Sequence, residues 1–482
     1  MRMSECDCIM CPLESNGKRL GDGIIRIVKP YVHTFTARAK RRWIGRTVLH
    51  VYTSEFGAFP KSYYEPAIRQ GRILVNGERV ALSYQISDND VLTHTVHMHE
   101  PAVDMGESSQ VQVIADANDV IVVNKPCTLT VHPCGSYNHN SLLSILESYY
   151  GTKLYTIHRL DRLTSGLVVL AKSACAARKW TDALTRRECD KIYLARVKGR
   201  FPLHCKTSTL TRIHNGKPPK EGKWNVVAAD TGESESDADL RSQTAMGYWI
   251  SNHDGTMKKD YTEPTDLVCE HSVDEWLAKN DSSINDTTGL HWFHVACPTR
   301  VSHHKDARCE AGSFVDLSDT LYSKSVKPAH TAFGVVSYDA ASDCTVVVCQ
   351  PFTGRSHQIR MHLQILGHSI VNDSKYGGDE PVVCKEARAE LDAMSTSEDV
   401  GGGFVMTDAH GEENGSLKEY IERTCTLCAQ TESYRNARSV LEFLSNGRGI
   451  WLHALQMTME DEDGEHHCYR TNVPAWAVTN PS

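Results

Sequence analysis

No apolar run in this chain of 482 residues approaches the roughly 18 residues that a membrane-spanning helix needs. A helical membrane anchor is therefore not expected. Residues 1–16 lack an apolar core and a small-residue cleavage site, which argues against a secretory leader. They carry Glu5 and Asp7 and little arginine, unlike a mitochondrial presequence, so a cytoplasmic or nuclear location is expected. The 17 cysteines follow no regular spacing, which reads as reduced thiols rather than a disulfide framework. Internal repeats are absent. An overall positive charge is also lacking: 52 Lys+Arg stand against 60 Asp+Glu, a net −8 that at first sight disfavours a polyanionic partner.

The distribution of charge reverses that impression. Residues 23–87 hold 11 Lys+Arg and 3 Asp+Glu, a local +8 that leaves −16 for the rest of the chain. Such asymmetry suits a basic face for a polyanion, with acidic insertions elsewhere. Arg38, Lys40, Arg41, Arg42 and Arg46 cluster around Trp43. Helices are expected near 47–56 and 62–70, then a hairpin over 71–80 with Asn76-Gly77 as its type I′ turn. A further turn at Asp88-Asn89-Asp90 leads to a closing strand at Val91-Leu92.

The most informative stretch is His158-Arg159-Leu160-Asp161-Arg162-Leu163-Thr164-Ser165-Gly166-Leu167. It places one carboxylate between two arginines in a segment that fits neither an amphipathic helix nor a regular strand. Val168-Val169-Leu170-Ala171 then reads as a buried strand, so Asp161 sits on a loop anchored by the core. A surface ion pair would be the ordinary reading of an isolated Arg-x-Asp. Two more blocks follow. One is Lys191-Ile192-Tyr193-Leu194-Ala195-Arg196-Val197-Lys198-Gly199. The other runs from Thr353-Gly354-Arg355-Ser356-His357-Gln358-Ile359-Arg360-Met361-His362-Leu363 to Asn372-Asp373-Ser374-Lys375-Tyr376-Gly377.

These three blocks, in this order, resemble the RluA-type pseudouridine synthases, in the spelling of their eukaryotic cytosolic and nuclear branch. The resemblance covers roughly 23–200, 327–378 and 425–477. It implies an α+β catalytic fold, a mixed and largely antiparallel sheet with flanking helices and a central cleft. The two helices, hairpin and closing strand before it resemble a small S4-type RNA-binding domain. The expected organisation is a flexible tail over 1–22, an S4-like domain over 23–105, and a catalytic domain over 111–477 with insertions at about 202–325 and 379–420. The stretch 230–239 (DTGESESDAD) is acidic and poor in apolar residues, hence expected to be disordered. Trp249, Trp276 and Trp292 in the same insertion suggest that parts of it pack onto the body.

Pseudouridine formation breaks the C1′–N1 bond of a uridine, turns the base and rejoins it through C5. Nothing is oxidised or added, so no cofactor is expected. By resemblance Asp161 is the catalytic carboxylate, acting on C1′ as a nucleophile or on C2′ as a base, in the manner of glycosidic cleavage. Arg360 is its ion-pair partner and Tyr193 packs on the base. Arg159 fills the gap left by the flipped nucleotide, and Thr164, Arg355 and His357 contact substrate. Arg41, Arg42, Trp43 and Arg72 are expected to contact RNA through phosphates and stacking. In a helix, Ile359, Leu363 and Leu366 form an apolar stripe with Arg360 off it and Gly367 as the stop.

His357, His362, Asp161 and Asp373 could instead suggest a metal site, but His-x4-His does not match the spacing of helical zinc ligands. No catalytic metal is expected. Cys6, Cys8 and Cys11 lack a fourth ligand nearby, and a lone Cys425-x-x-Cys428 is weak evidence for zinc. Whether either set binds metal stays open. The expected partner is RNA, tRNA first, with messenger or ribosomal RNA as alternatives. No membrane is involved, and any protein partner would use the insertions. Two rival classes remain: a catalytically silent RNA-binding protein on the same fold, and a metal-dependent nuclease.

Overall fold

The computed structural model describes residues 8–15, 18–56, 59–106, 111–117, 119–186, 188–201, 247–251, 292–297, 299–303, 308–311, 326–327, 329–394, 421–423, 425–460 and 466–478. The chain divides into two compact units. The first comprises Met1–Gln110, His132–Thr152 and Val382–Asn446, and the second Val111–Val131, Lys153–Pro381 and Gly447–Ser482. This differs from the expected contiguous domains: 132–152 and 382–446 group with the N-terminal region.

In the first unit, strands β1 (Cys8–Ser15) and β2 (Lys18–Val28) pair antiparallel, and β6 (Val103–Asp104) lies on the other edge of β2. The flexible tail expected over 1–22 is thus corrected for its described part. The segment 8–15 shows weak local pattern and gains its order from pairing with the apolar run at 24–28, as in Ile9↔Ile27. Strands β3 (Tyr31–Arg38), β4 (Ile73–Val75) and β5 (Val91–Met98) form a sheet in the order β3-β5-β4. Two helices, Val48–Glu55 and Lys61–Arg69, pack with it. The first is capped by Thr47, whose hydroxyl accepts from His50 N at 3.2 Å.

Asn76 (φ 53°) and Gly77 (φ 83°) both take the positive φ of a type I′ turn. The hairpin expected over 71–80 shrinks to one bridge, Val75↔Glu78, because β4 spends its ladder on β5. Buried Glu100 explains why 132–152 joins this unit. Its carboxylate accepts from the backbone N–H of Asn138, His139 and Asn140 at 2.8–2.9 Å. Helices Val382–Met394 and Glu432–Ser445 contribute Ala387, Val440, Leu441, Phe443 and Leu444 to a cluster with Ile25, Ile27 and Ala102. The rest of the insertion expected at 379–420 lies outside the described residues.

The second unit is built on one 11-stranded sheet. Its strands are β7 (Gln112–Asp116), β8 (Val120–Lys125), β9 (Tyr155–Thr156), β10 (Ser165–Ala171), β11 (Cys189–Lys198), β12 (Gly247–Ser251), β13 (Trp292–Ala296), β16 (His330–Asp339), β17 (Cys344–Pro351), β18 (Leu452–Glu460) and β19 (His466–Arg470). Strands β14 (Thr299–His303) and β15 (Arg308–Ala311) form a separate pair. The main path runs β12-β13-β16-β17-β11-β18-β10-β8-β7. Among the described residues only β10 and β18 pair parallel; the other pairings are antiparallel, so the sheet is mixed and largely antiparallel. β8 and β10 are continuous apolar runs because both faces are covered.

Gly166 (φ +113°) lets β10 approach β18: a Cβ there would lie 2.3 Å from the Ala454 carbonyl oxygen. The expected insertion at 202–325 supplies β12 and β13 to the sheet edge. Its acidic stretch 230–239 and Trp276 lie outside the described residues, while Trp249 and Trp292 fall within β12 and β13. The helix Gln358–Ile365 packs Ile359, Met361, Leu363 and Ile365 among Phe293, Phe333 and Val347 of the sheet.

Candidate active site

The loop carrying Asp161 leaves β9 and enters β10, and three contacts hold it. His158 Nε2 accepts from Val169 N at 3.1 Å, which pins the loop to β10. Thr164 N donates to the Asp161 carbonyl at 3.1 Å, closing a tight turn. Lys125, at the end of β8, is fully buried and donates to the carbonyls of Pro126, Leu129 and Arg162 at 2.8, 2.9 and 3.3 Å. Burial pushes its ammonium down to about 7.

Facing this loop is the helix Gln358–Ile365, entered through His357 in the left-handed region (φ 54°). Gln358 fixes the entry. Its carbonyl accepts from Thr353 Oγ1 (2.7 Å) and Arg355 N (3.1 Å), and its amide donates to the His330 carbonyl and Thr331 Oγ1 (both 2.9 Å). Arg360 lies off the apolar stripe as expected, but it is only 4% exposed. A buried guanidinium needs compensation, and it has two carboxylates. Nε and Nη2 grip Asp373 at 2.7 and 2.9 Å, a bidentate pair. Nη1 donates to Asp161 Oδ2 at 3.1 Å.

Burial alone would raise the Asp161 carboxyl, but His357 and Arg360 outweigh it and hold the group below the ordinary carboxylate range. Burial also pushes the His357 imidazole down to about 4, so it is neutral near pH 7. Near pH 7 the Arg360 guanidinium, with Arg159 beside it, therefore keeps Asp161 ionised, and a charged His357 adds to them only below about pH 4. His357 Nε2 stands 3.6 Å from Asp161 Oδ2, beyond hydrogen-bond distance, while its Nδ1 meets the Tyr376 hydroxyl at 2.8 Å. Burial, and then the Asp161 charge, push the Tyr193 phenol up, so it stays protonated.

One cleft of about 310 Å³ gathers Asp161, Tyr193, Arg360, Arg159, Thr164, Arg355 and His357. That is at the lower end of small-molecule pockets, roughly 300–1,000 Å³, and suits one nucleobase. Arg159 is exposed there. The Thr164 hydroxyl is buried with no hydrogen-bond partner among the described residues. Sequence reasoning gave no role to Asp373, Tyr376, Gln358, Lys125 or Lys191, of which Gln358 and Lys191 also line the cleft. Asp373 and Tyr376 stood inside the third block but were visible only as part of it. Tyr376 packs its ring 4.8 Å from the Arg360 guanidinium carbon.

His362 is engaged elsewhere, with Thr331 Oγ1 (3.0 Å) and the Cys297 carbonyl (2.9 Å). Among the described residues, no group of three metal-capable side chains forms in this cleft.

Two expected RNA contacts are corrected. Trp43 (1% exposed) is a core residue of the first unit, packed with Val48, Val51 and Ile86, so its ring offers no stacking face. Lys40 and Arg42 cover that ring instead. Arg72 (2% exposed) lies beneath the surface beside Tyr63 and His94. The bulk that made Trp43 a stacking candidate is what the small unit needs for its core. Arg41 and Arg42 are exposed, and Arg42 pairs with Glu55 at 2.6 Å.

Residues 119–288 and 292–365 match the family model described as RNA pseudouridylate synthase. The chain is 30% identical over 465 residues to the tRNA pseudouridine(32) synthase, mitochondrial, of Saccharomyces cerevisiae, covering 95% of this chain and 78% of that protein. It is 31% identical over 440 residues to the human pseudouridylate synthase RPUSD2, covering 86% of this chain and 62% of that protein. A second yeast protein, tRNA pseudouridine(31) synthase, is 26% identical over 480 residues, 95% of this chain and 96% of that protein. The chain belongs to the RNA pseudouridylate synthase family.

Proposed function

We propose that this chain converts a uridine of the tRNA anticodon stem-loop to pseudouridine, with Asp161 as the catalytic carboxylate. The observation that carries the assignment is the ionised Asp161, held by Arg360 in a base-sized cleft that Tyr193 also lines. Two relatives named for tRNA positions 31 and 32 support the choice of RNA. The target nucleotide flips out of its stack at a cost of a few kcal/mol, and Arg159, exposed in the cleft, takes the vacated space. Thr164, Arg355 and His357 contact the flipped nucleotide.

The negative charge of Asp161 beside C1′ stabilises the sugar as the C1′–N1 bond breaks, and the C1′–C5 bond then forms. The hydrogen on C5 leaves as a proton, and N1 of the product carries one. A phenol kept protonated is a poor base, so Tyr193 serves as the face on which the detached uracil rests. Arg41 and Arg42, on an S4-like unit, contact the RNA backbone.

The experiment is pseudouridine mapping of total RNA after depletion of the protein, rescued by wild type or by Asp161→Ala. Sites that vanish and return only with wild type support the assignment and name the uridine. Equal rescue by both would leave an RNA-binding protein without catalysis.

A further inference from the structure

The first unit gathers four side chains that the uridine chemistry does not use. His97, near the end of β5, and His99, just past it, are two residues apart and leave the same face of the chain. Cys425 caps the short helix Thr426–Ala429 and Cys428 lies one turn on, which turns both thiols to one side. The two pairs are brought together from more than 300 positions apart.

One ligand atom from each of the four residues lies within 4.8 Å of the other three. His99 Nε2 is 3.1 Å from His97 Nδ1, 3.2 Å from Cys425 Sγ and 3.7 Å from Cys428 Sγ, and His97 Nδ1 is 3.9 Å from Cys428 Sγ. A tetrahedral ion with Zn–N of about 2.0–2.1 Å and Zn–S of about 2.3 Å implies ligand–ligand edges of roughly 3.3–3.8 Å. The observed edges bracket that range. Hydrogen bonding alone explains the group poorly, since two imidazoles and two thiols of weak donor strength converge with no charged partner among the four. Arg435 Nη1 donates to the Cys428 carbonyl at 3.0 Å and also bonds the Gln430 carbonyl, fixing the Cys-x-x-Cys turn from outside as outer-shell partners do.

We infer that His97, His99, Cys425 and Cys428 form a closed Cys2His2 zinc site. Four protein ligands leave no position for water or substrate, so the ion is structural. It ties the end of β5 to the segment that returns at 425–428, and its binding energy is folding energy for the first unit. On binding, two thiols give up their protons to solvent and no electrons move. The weak Cys-x-x-Cys signal becomes specific only with the His-x-His that folding brings to it.

The test is metal analysis of the full chain, expressed in zinc-containing medium and freed of loose metal over a weak chelating resin. One zinc per chain is expected. Replacement by cobalt should give sulfur-to-cobalt charge transfer with the intense visible bands of a tetrahedral ion. Cys425→Ser and His99→Gln should each lose the metal, while a combined Cys6→Ser, Cys8→Ser, Cys11→Ser variant keeps it. Wild type without stoichiometric metal overturns the proposal, as does a cobalt spectrum lacking sulfur charge transfer. Metal that stays in a Cys425→Ser, Cys428→Ser protein, or leaves with the N-terminal cysteines, also overturns it, as does a Cys425–Cys428 disulfide in protein prepared with zinc and reductant. The wild-type measurements stand even if a variant fails to fold.

Discussion

Two polar clusters, one in each unit, are assembled from distant segments and settle their charge in opposite ways. In the cleft, Asp161 and Arg360 lie 199 positions apart, and Asp373 completes a guanidinium between two carboxylates. The chain supplies both signs there, and one carboxylate remains for chemistry. In the first unit, His99 and Cys425 lie 326 positions apart, and with His97 and Cys428 they supply ligands only. Buried charge must be compensated. Where the chain carries the countercharge it builds a reactive group, and where it carries only donors it calls for an ion. The largest test of this contrast is Asp161→Asn, which removes the charge and keeps the shape. Its turnover should fall by on the order of 10⁴-fold or more, as when a catalytic nucleophile is lost. Arg360 keeps its bidentate hold on Asp373, so the thermal midpoint should fall by no more than the stability that the ionised Asp161 contributes. Single-turnover pseudouridine formation on a tRNA transcript is the measurement, and a loss of less than about tenfold, only some 1.4 kcal/mol of barrier, would remove Asp161 from its role.

The next test breaks the charge balance itself. Arg360→Gln leaves Asp373, 1% exposed, without its partner. Such a break costs about 3–5 kcal/mol of stability, readable by denaturant unfolding. The variant also moves a pH profile. Asp161 is held below its unfolded value of about 3.9, so its contribution to stability is present above that value and is lost as pH falls through the folded one. Without the guanidinium, burial dominates and the carboxyl rises. The acid limb of kcat/KM should therefore shift upward in Arg360→Gln. Arg360→Lys restores charge without the two-pronged geometry and should recover only part of the loss.

Much of the cleft's lining was legible in the sequence because a motif constrains residues by name. Asp161, Arg360 and Tyr193 come from three contiguous blocks, and each lines the one cleft. Local pattern also located the helices Val48–Glu55 and Lys61–Arg69 to within a few residues. What sequence could not carry was compensation at a distance. Asp373 has no local mark of pairing with Arg360, and the thiols of 425–428 give no hint of histidines at 97 and 99. Trp43 shows the converse error. Cations around an aromatic suggest a nucleic-acid surface, yet the same pattern arises when cationic stems cover a core indole. The strand at Cys8–Ser15 was missed because its order comes from its pairing with β2.

Metal removal should separate the two clusters. Stripping the chain with a strong chelator is expected to lower the thermal midpoint through the first unit. Each kcal/mol lost is worth about 2–4 °C for a unit of 150–250 residues. The acid limb of the pH–rate profile should stay in place, because the cleft balances its charge with Arg360. Calorimetry with and without added zinc, alongside rates across pH, reads both. A chelator that moved the acid limb would make the ion part of the cleft's electrostatics and end the contrast.

The smallest expected effect belongs to His357, and it sharpens the claim that one cation is enough. Its ring stands 3.6 Å from Asp161 Oδ2, close enough to matter if charged. Burial pushes it down to about 4, against about 6.5 unfolded. Between those values the unfolded chain binds the proton that the folded chain refuses, so this residue costs stability as pH falls through that window. His357→Gln removes the cost and retains a side chain able to hydrogen-bond the Tyr376 hydroxyl. Relative to wild type, the variant should gain stability from about pH 6.5 down to 4. His357 is charged in the acid range where Asp161 itself titrates, so the acid limb should rise, by less than in Arg360→Gln. The rate at pH 7 should fall by less than about tenfold, the scale of one neutral contact. A rate at pH 7 that falls well beyond tenfold, with an acid limb that rises as far as in Arg360→Gln, would mean that His357 is charged in the working enzyme. The cleft would then hold two cations for its two carboxylates, and Asp161 would owe its charge to both.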